Sequence, residues 1–247
     1  MDRTILLATS NAGKLRDFAG AAAPFNIKIA NLPNFSSLPE VVEDGSTFEE
    51  NARKKAESYS LAVPGEIVLA DDSGLEVDAL SGAPGIYSAR YAARNSQNND
   101  VRNQDVQNNG APNNVQRSAQ PRTIDEANNA RVLRELKSVP YEKRTARFVC
   151  VLVAARDGKT LATFRGTAEG IILDAPRGKK GFGYDPLFYF PAIQRTFAEL
   201  DAEEKSRYSH RGAAFRGFLE WYRATSSQQV LGSDAVSNRS RRTSNQQ

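Results

Sequence analysis

The chain opens by passing from a short apolar run to a polar, glycine-bearing turn and then to an amphipathic stretch. No other feature restricts its fold as much. Thr4-Ile5-Leu6-Leu7-Ala8-Thr9 is apolar and bounded by polar residues, the pattern of a buried strand. Ser10-Asn11-Ala12-Gly13-Lys14 forms the turn, and Leu15 to about Ala23 reads as a helix. Strand, glycine turn and helix in that order predict an α/β protein.

The rest of the chain agrees. Asn26 to Ala30 predicts a second strand, and Thr47 to Leu61 a helix. Ser46 or Thr47 is its N-cap, and Glu49 or Glu50 completes a capping box. Ile67 to Ala70 is a buried strand that reads as ending at Asp71-Asp72-Ser73-Gly74, with Leu75 to Leu80 resuming the sheet past a bend. Asp125 to Leu136 is helical and is closed by Pro140. Thr145 to Ala155 and Thr160 to Gly170 form a long hairpin about Asp157-Gly158. Ser209 to Tyr222 is a last helix, with Phe215, Phe218, Leu219 and Tyr222 on one face.

Two segments do not fit this pattern. Between Asn95 and Gln120, 13 of 26 residues are Asn or Gln, a composition that cannot bury enough surface to offset backbone entropy. It predicts a disordered insertion at 95–122, and the residues from Ala224 to Gln247 read the same way. One domain over 1–223 is therefore expected, interrupted by the insertion and followed by a disordered tail at 224–247. The whole chain carries +4, with 33 Lys and Arg against 29 Asp and Glu. Counted from Arg94 to Arg122 and from Ala224 to Gln247, that excess belongs to these two segments, +2 in each, so it does not imply a basic nucleic-acid face.

Residue usage excludes more. A single cysteine, Cys150, cannot form an internal disulfide, and with a single histidine, His210, there is no Cys/His zinc cluster. The longest apolar run, Phe148 to Ala155, falls far short of a bilayer span, and the start of the chain lacks a signal-peptide layout. A reducing cytoplasm is the expected location, with no membrane partner. Any metal must use oxygen ligands, which points to Mg²⁺ or Mn²⁺.

Four constellations could carry chemistry. Thr9-Ser10-Asn11-Ala12-Gly13-Lys14 lies between strand and helix, where backbone N–H groups and a lysine attract phosphate. It is not a Walker A loop, because Ala8 and Leu15 occupy the required Gly and Ser/Thr positions. Read alone, it is also an ordinary turn with a surface lysine. Glu43 and the pair Asp71-Asp72 could hold Mg²⁺ beside a phosphate, although Asp-Asp-Ser-Gly also makes a good solvated turn. In Gly181-Phe182-Gly183-Tyr184-Asp185, glycines flank an aromatic that could stack on a nucleobase or simply pack. Lys205, His210 and Arg211 gather cations before and at the start of the last helix.

In order the strings read TSNAGK, VVEDGSTFEENARKKA, ADDSGLEVDALSGAPGIYSARY, RTARFVC, GFGYDP and EEKSRYSHRG. From Thr4 to about Tyr222, omitting the insertion, the chain strongly resembles the non-canonical purine nucleoside triphosphate pyrophosphatases, the inosine/xanthosine triphosphate pyrophosphatase family. The resemblance implies hydrolysis of ITP, dITP and XTP to the monophosphate and pyrophosphate, which keeps deaminated purines out of nucleic acids. It also implies an Mg²⁺-dependent homodimer with an elongated two-lobed mixed-sheet α/β fold and the active site in the cleft between lobes.

Residue by residue, the resemblance assigns Thr9, Ser10, Asn11, Ala12, Gly13 and Lys14 to the triphosphate. It assigns Glu43 and Asp72 to the metal, Asp72 to the general base and Ser73 to a substrate contact. Phe182, Gly183, Tyr184 and Asp185 correspond to the base-binding segment. Lys205, His210 and Arg211 correspond to further nucleotide contacts, the last two near the purine's oxo edge. Adjacent residues of an extended segment face opposite ways, and the resemblance selects Asp72, which directly precedes the matched Ser73; if only one of the pair reaches the cleft, Asp71 is expected to matter less. Two other readings stay open. One is a pyrophosphatase for other modified nucleotides; the other is a nucleic-acid-binding protein using the Arg-bearing insertion and tail.

Overall fold

The computed structural model describes residues 3–95 and 123–225. The expected insertion and tail lie outside the described residues, except for Asn95, Ala224 and Thr225. Among the described residues no helix is long and apolar enough to cross a membrane.

Seven strands form one mixed sheet in the order β2-β1-β3-β4-β5-β6-β7. β1 (Arg3–Leu7) runs parallel to β2 (Ile27–Asn31) and to the start of β3 (Val68–Val77). β4 (Thr145–Arg156), β5 (Lys159–Ile172), β6 (Phe188–Phe190) and β7 (Arg195–Thr196) add on antiparallel. The predicted hairpin is β4–β5. Its two turn residues, Asp157 and Gly158, both have positive φ, at 51° and 76°, as a tight turn matched to strand twist requires.

Three sequence expectations need correcting. First, the first helix, α1, spans Ala12–Ala22 and so starts three residues before Leu15. Asn11 caps it, accepting from the backbone N–H groups of Gly13 and Lys14 at 2.8 and 3.1 Å. Second, Asp71-Asp72-Ser73-Gly74 is not a turn but the middle of β3. Each of these residues is opposite one of β4, Asp71 to Leu152 and Gly74 to Val149, and the ladder overrides their turn preference. Third, the last helix spans residues 210–225, so Ala224 and Thr225 belong to it and not to the tail. The Thr225 hydroxyl donates back to the Trp221 carbonyl at 2.9 Å.

The second helix, α2 (Phe48–Ser60), is capped by Thr47, whose hydroxyl accepts from the Glu50 N–H. The third, α3 (Ile124–Glu135), is capped by Thr123 in the same manner. A short helix the sequence reading missed, α4 (Ala202–Tyr208), has Asp201 and Glu204 in a capping box. The last helix, α5, follows it directly, and Ser209 accepts from the Gly212 N–H.

β3 and β4 are buried on both faces. Phe18 of α1 and Phe215 and Phe218 of α5 cover Leu69, Cys150 and Leu152 on one face. Ala52, Ala56 and Tyr59 of α2 cover Val68, Ala70 and Val151 on the other. Further along the same strands, Leu75, Val77 and Phe148 join Val132 and Leu136 of α3, Phe188 and Phe197 in a third cluster. The long strands therefore run through two lobes, and the polar residues at mid-β3 sit between them.

Candidate active site

β1 stops at Leu7, opposite Leu69, while β3 continues. Between that point and Leu75, where the 83–88 segment takes over the edge, β3 lacks a strand on this side, and its side chains reach one opening from both sheet faces. Asp71 and Ser73 point toward α1 and α5. Asp72 points the other way, toward α2. Each carboxylate has its own partners.

On the first face, Asp71 accepts from Lys14 Nζ at 3.0 Å and from the Ser73 hydroxyl at 2.9 Å, with Arg211 Nε 3.8 Å away. Burial alone would raise its pKa, but the charges of Lys14, Arg211 and Lys55 hold it at about 2. It is 2 % exposed. Arg211 spends its other nitrogens on Asp17 (2.8 Å) and on the Ser73 hydroxyl (2.7 Å).

On the second face, Asp72 accepts from Asn51 Nδ2 at 3.0 Å and from the Ser73 N–H at 2.9 Å. Asn51 Oδ1 also takes the Gly45 N–H at 2.8 Å, which fastens the loop carrying Glu43. Lys55 lies between the two acids, 3.0 Å from Glu43 and 4.0 Å from Asp72. Burial pushes the Asp72 pKa up, and Lys55, Lys14 and Asn51 do not cancel the effect. Such a carboxylate is a better proton acceptor than an ordinary aspartate.

Two cavities meet here. The larger, about 870 Å³, is lined by Thr9, Ser10, Asn11, Lys14, Glu43, Lys55, Asp71, Asp72 and Ser73. The smaller, about 280 Å³, is lined by Phe182, Gly183, Tyr184, Asp185, His210 and Arg211, and again by Asn11, Lys14 and Ser73. The shared residues make them one cleft.

The remaining sequence candidates divide into cleft wall and support. Gly13 lies behind the wall, where an added Cβ would come within 2.6 Å of the Phe182 ring; only glycine lets α1 and the 181–185 loop touch. Ala12 begins α1, is exposed and lines neither cavity. Lys205 is 4 % exposed and is held by Asp185 at 2.6 Å and Asp17 at 3.1 Å. Asp185 also takes the Phe182 N–H at 2.9 Å, so its carboxylate is occupied in shaping the loop. Lys205 and Arg211 lie 4.9 and 5.0 Å from the Phe182 ring centroid.

His210 differs from these. It is 1 % exposed, it stacks on Phe148 with centroids 4.7 Å apart, and neither ring nitrogen has a hydrogen-bond partner. Burial and the charges of Arg211, Lys205 and Lys14 lower its pKa well below 6.5, so the ring is neutral and carries one donor and one acceptor. Its ring lines the smaller cavity with both nitrogens buried and unpaired, while Arg211, which lines it too, has Nη1 on Asp17 and Nη2 on Ser73.

Sequence reading missed Asn51, Lys55 and Asp17. Asn51 and Lys55 fall on the apolar stripe of α2 with Phe48, Ala52, Ala56 and Tyr59, and a polar residue on a buried stripe was the available signal. Asp17 lies one turn past Lys14 on α1.

The described residues contain no cluster of three or more His, Cys, Asp or Glu side chains suited to a metal. Glu43 and Asp72 are a two-carboxylate set facing the larger cavity. That is the donor type Mg²⁺ takes when substrate phosphates and water complete its shell.

Comparison with known proteins agrees with this geometry. The model of the Ham1 family matches residues 5–124 and 109–221. A dITP/XTP pyrophosphatase of Geobacter sulfurreducens is 46 % identical over 210 residues, covering 85 % of this chain and 92 % of that protein. One from Acidobacterium capsulatum is 46 % identical over 219 residues, covering 89 % and 98 %. The solved Ham1 protein of Staphylococcus aureus superposes with a TM-score of 0.66 at 36 % identity, covering 90 % of this chain and all of that one. The Ham1 protein of Coxiella burnetii gives 0.64 at 36 %, covering 87 % and 96 %.

Proposed function

This chain belongs to the Ham1 family, and from that membership and the cleft we propose that it hydrolyses dITP, ITP and XTP to the nucleoside monophosphate and pyrophosphate. The observation that carries the reading is that Asn11, Lys14 and Ser73 line both cavities. A nucleotide with its base in the smaller cavity thus has its phosphates beside Asp72.

In this reading Lys14 and Lys55 neutralise the triphosphate, and the turn from Thr9 to Asn11 surrounds it. Asp72, with its raised pKa, accepts a proton from a water that attacks the α-phosphorus in line with the pyrophosphate leaving group. Glu43 and Asp72 are the residues that would hold Mg²⁺, whose charge when bound offsets that of the leaving group. His210 donates to the 6-oxo oxygen of hypoxanthine or xanthine, and the 6-amino group of adenine meets that donor unfavourably. Sites that read a hydrogen-bonding group discriminate by about 10⁴-fold or more, against about 10²-fold for apolar fit.

The proposal includes one catalytic domain over 1–223, a homodimer and a cytoplasmic location. Removing 96–120 and 226–247 would then leave turnover near that of the full chain. The test is product analysis with Mg²⁺ on ITP, XTP, dITP, ATP, GTP, dTTP and dUTP. Pyrophosphate from the first three at far higher efficiency supports the reading. A preference for dTTP or dUTP replaces it with a pyrimidine-directed pyrophosphatase, and inactivity on all seven rejects it.

A further inference from the structure

One helix that carries none of the candidate site residues, α3, holds the base-side loop. The Gly183 N–H donates to Asp125 Oδ2 at 2.7 Å, and Asn129 Nδ2 donates to the Gly183 carbonyl at 3.0 Å. Asp125 and Asn129 are four residues apart on α3 and therefore share a face, one turn apart. Both hydrogen-bonding groups of a single residue are thus held by one turn of helix. Gly183 has φ of +60°, and a glycine there leaves the loop free to take many other conformations. Asp185 fixes the loop from within through the Phe182 N–H, and α3 supplies the contacts to Gly183 from outside.

The same turn of α3 also grips the opposite wall. Asn128, 2 % exposed, donates through Nδ2 to the carbonyls of Ser88 and Ala89 at 3.3 and 3.2 Å, and its Oδ1 takes the Ala92 N–H at 2.7 Å. Ser88, Ala89 and Gly183 all line the smaller cavity, and Asp125 and Asn128 reach its edge themselves. Tyr184 closes the bracket, its hydroxyl donating to the Ser88 carbonyl at 2.8 Å. The separation of the two walls is therefore set by side chains of α3 and by Tyr184.

We infer that Asp125 and Asn129 are positioning residues for base selection, acting through Gly183 to keep the 181–185 loop at the distance from Ser88 and Ala89 that a purine base requires. This rests on the nucleotide reading given above. Their effect falls on the base end of the substrate, while the phosphate end, built from α1, α2 and β3, is untouched.

The experiment measures kcat and KM for pyrophosphate release from ITP and ATP by wild type, Asp125→Ala, Asp125→Asn and Asn129→Leu, with melting temperatures. Asp125→Ala and Asn129→Leu are expected to raise KM for ITP about tenfold, with kcat changed less than about threefold, and to narrow the ITP/ATP efficiency ratio. Asp125→Asn retains an acceptor for the Gly183 N–H and should restore the wild-type ratio. Asp125 is exposed, so its variants carry the test even if Asn129→Leu does not fold. Folded variants with unchanged KM and ratio would overturn the inference, as would equal loss of kcat on both nucleotides or an Asp125→Asn enzyme as impaired as Asp125→Ala. A wild type that shows no preference for ITP contradicts the nucleotide reading itself, a different result from a preference that survives in every variant.

Discussion

Asp17 and Arg211, 194 residues apart in sequence, pair at 2.8 Å, and the same Asp17 oxygen takes Lys205 at 3.1 Å. The pair ties the helix that carries Lys14 to the one that carries His210, so the phosphate end and the base end of the cleft share one anchor. The side chains are at most 10 % exposed, which keeps solvent screening low.

Removing that anchor should cost stability before it costs chemistry. Breaking a buried pair by deleting one partner costs about 3–5 kcal/mol, and here the lower figure applies because Asp185 still holds Lys205. At about 2–4 °C per kcal/mol for a chain of this size, Asp17→Ala should melt roughly 10 °C below wild type. A melting temperature within 2 °C or so of wild type would show that the pair does not hold the two helices together. By the same reasoning Arg211→Ala is a poor probe of base choice, because it also removes a cation from beside Asp17 and Asp71, leaving each with one lysine.

Asp71→Asn separates binding from catalysis. Asp71 faces Lys14 and Arg211 and also lines the larger cavity, so both aspartates of the pair reach the cleft. An asparagine cannot balance the buried Arg211 and the half-buried Lys14. Steady-state kinetics should show a raised KM for ITP and a melting temperature several degrees lower, with kcat affected less than by substitution of Asp72. A large kcat loss with unchanged KM would place Asp71 in the chemical step.

His210 should leave a mark on acid stability. The unfolded chain takes up a proton at this residue near pH 6.5, while in the folded chain its pKa is far lower, so acid favours unfolding. The stability is fully present above about pH 6.5 and is lost progressively below it. His210→Phe keeps a ring against Phe148 and removes the titration. Denaturant unfolding between pH 7.5 and 5.5 should cost wild type about 1.4 kcal/mol more than the variant. Parallel pH profiles would mean that His210 takes up its proton in the fold at the same pH as in the unfolded chain.

The sequence carried the elements with strong local signals. β1, α2, α3 and the β4–β5 hairpin stand where their periodicity, caps and Asp157-Gly158 turn indicate. It was silent where a tertiary partner decides. Asp71-Asp72-Ser73-Gly74 has turn composition, and only the ladder to β4 makes it strand. Local pattern could not show that Asp185 and Lys205 pair with each other, because the pairing joins a loop to α4. Nor could it show that Lys55 faces Glu43 and Asp72, which depends on how α2 lies on the sheet. The four constellations were individually ambiguous; their convergence on one cleft is a property of the fold.

The claim that Asp72 performs the chemistry is tested most directly by pyrophosphate release from ITP by Asp72→Asn, measured across a Mg²⁺ titration beside its melting temperature. Asparagine keeps the size and can still pair with Asn51, but loses the charge that accepts a proton and holds the metal. A positioned general base contributes about 10²–10⁴-fold, so the rate should fall at least about 10²-fold at every Mg²⁺ concentration while the melting temperature moves by only a few degrees. An Asp72→Asn enzyme that releases pyrophosphate at the wild-type rate in ordinary Mg²⁺ would contradict the account and remove this carboxylate from the reaction.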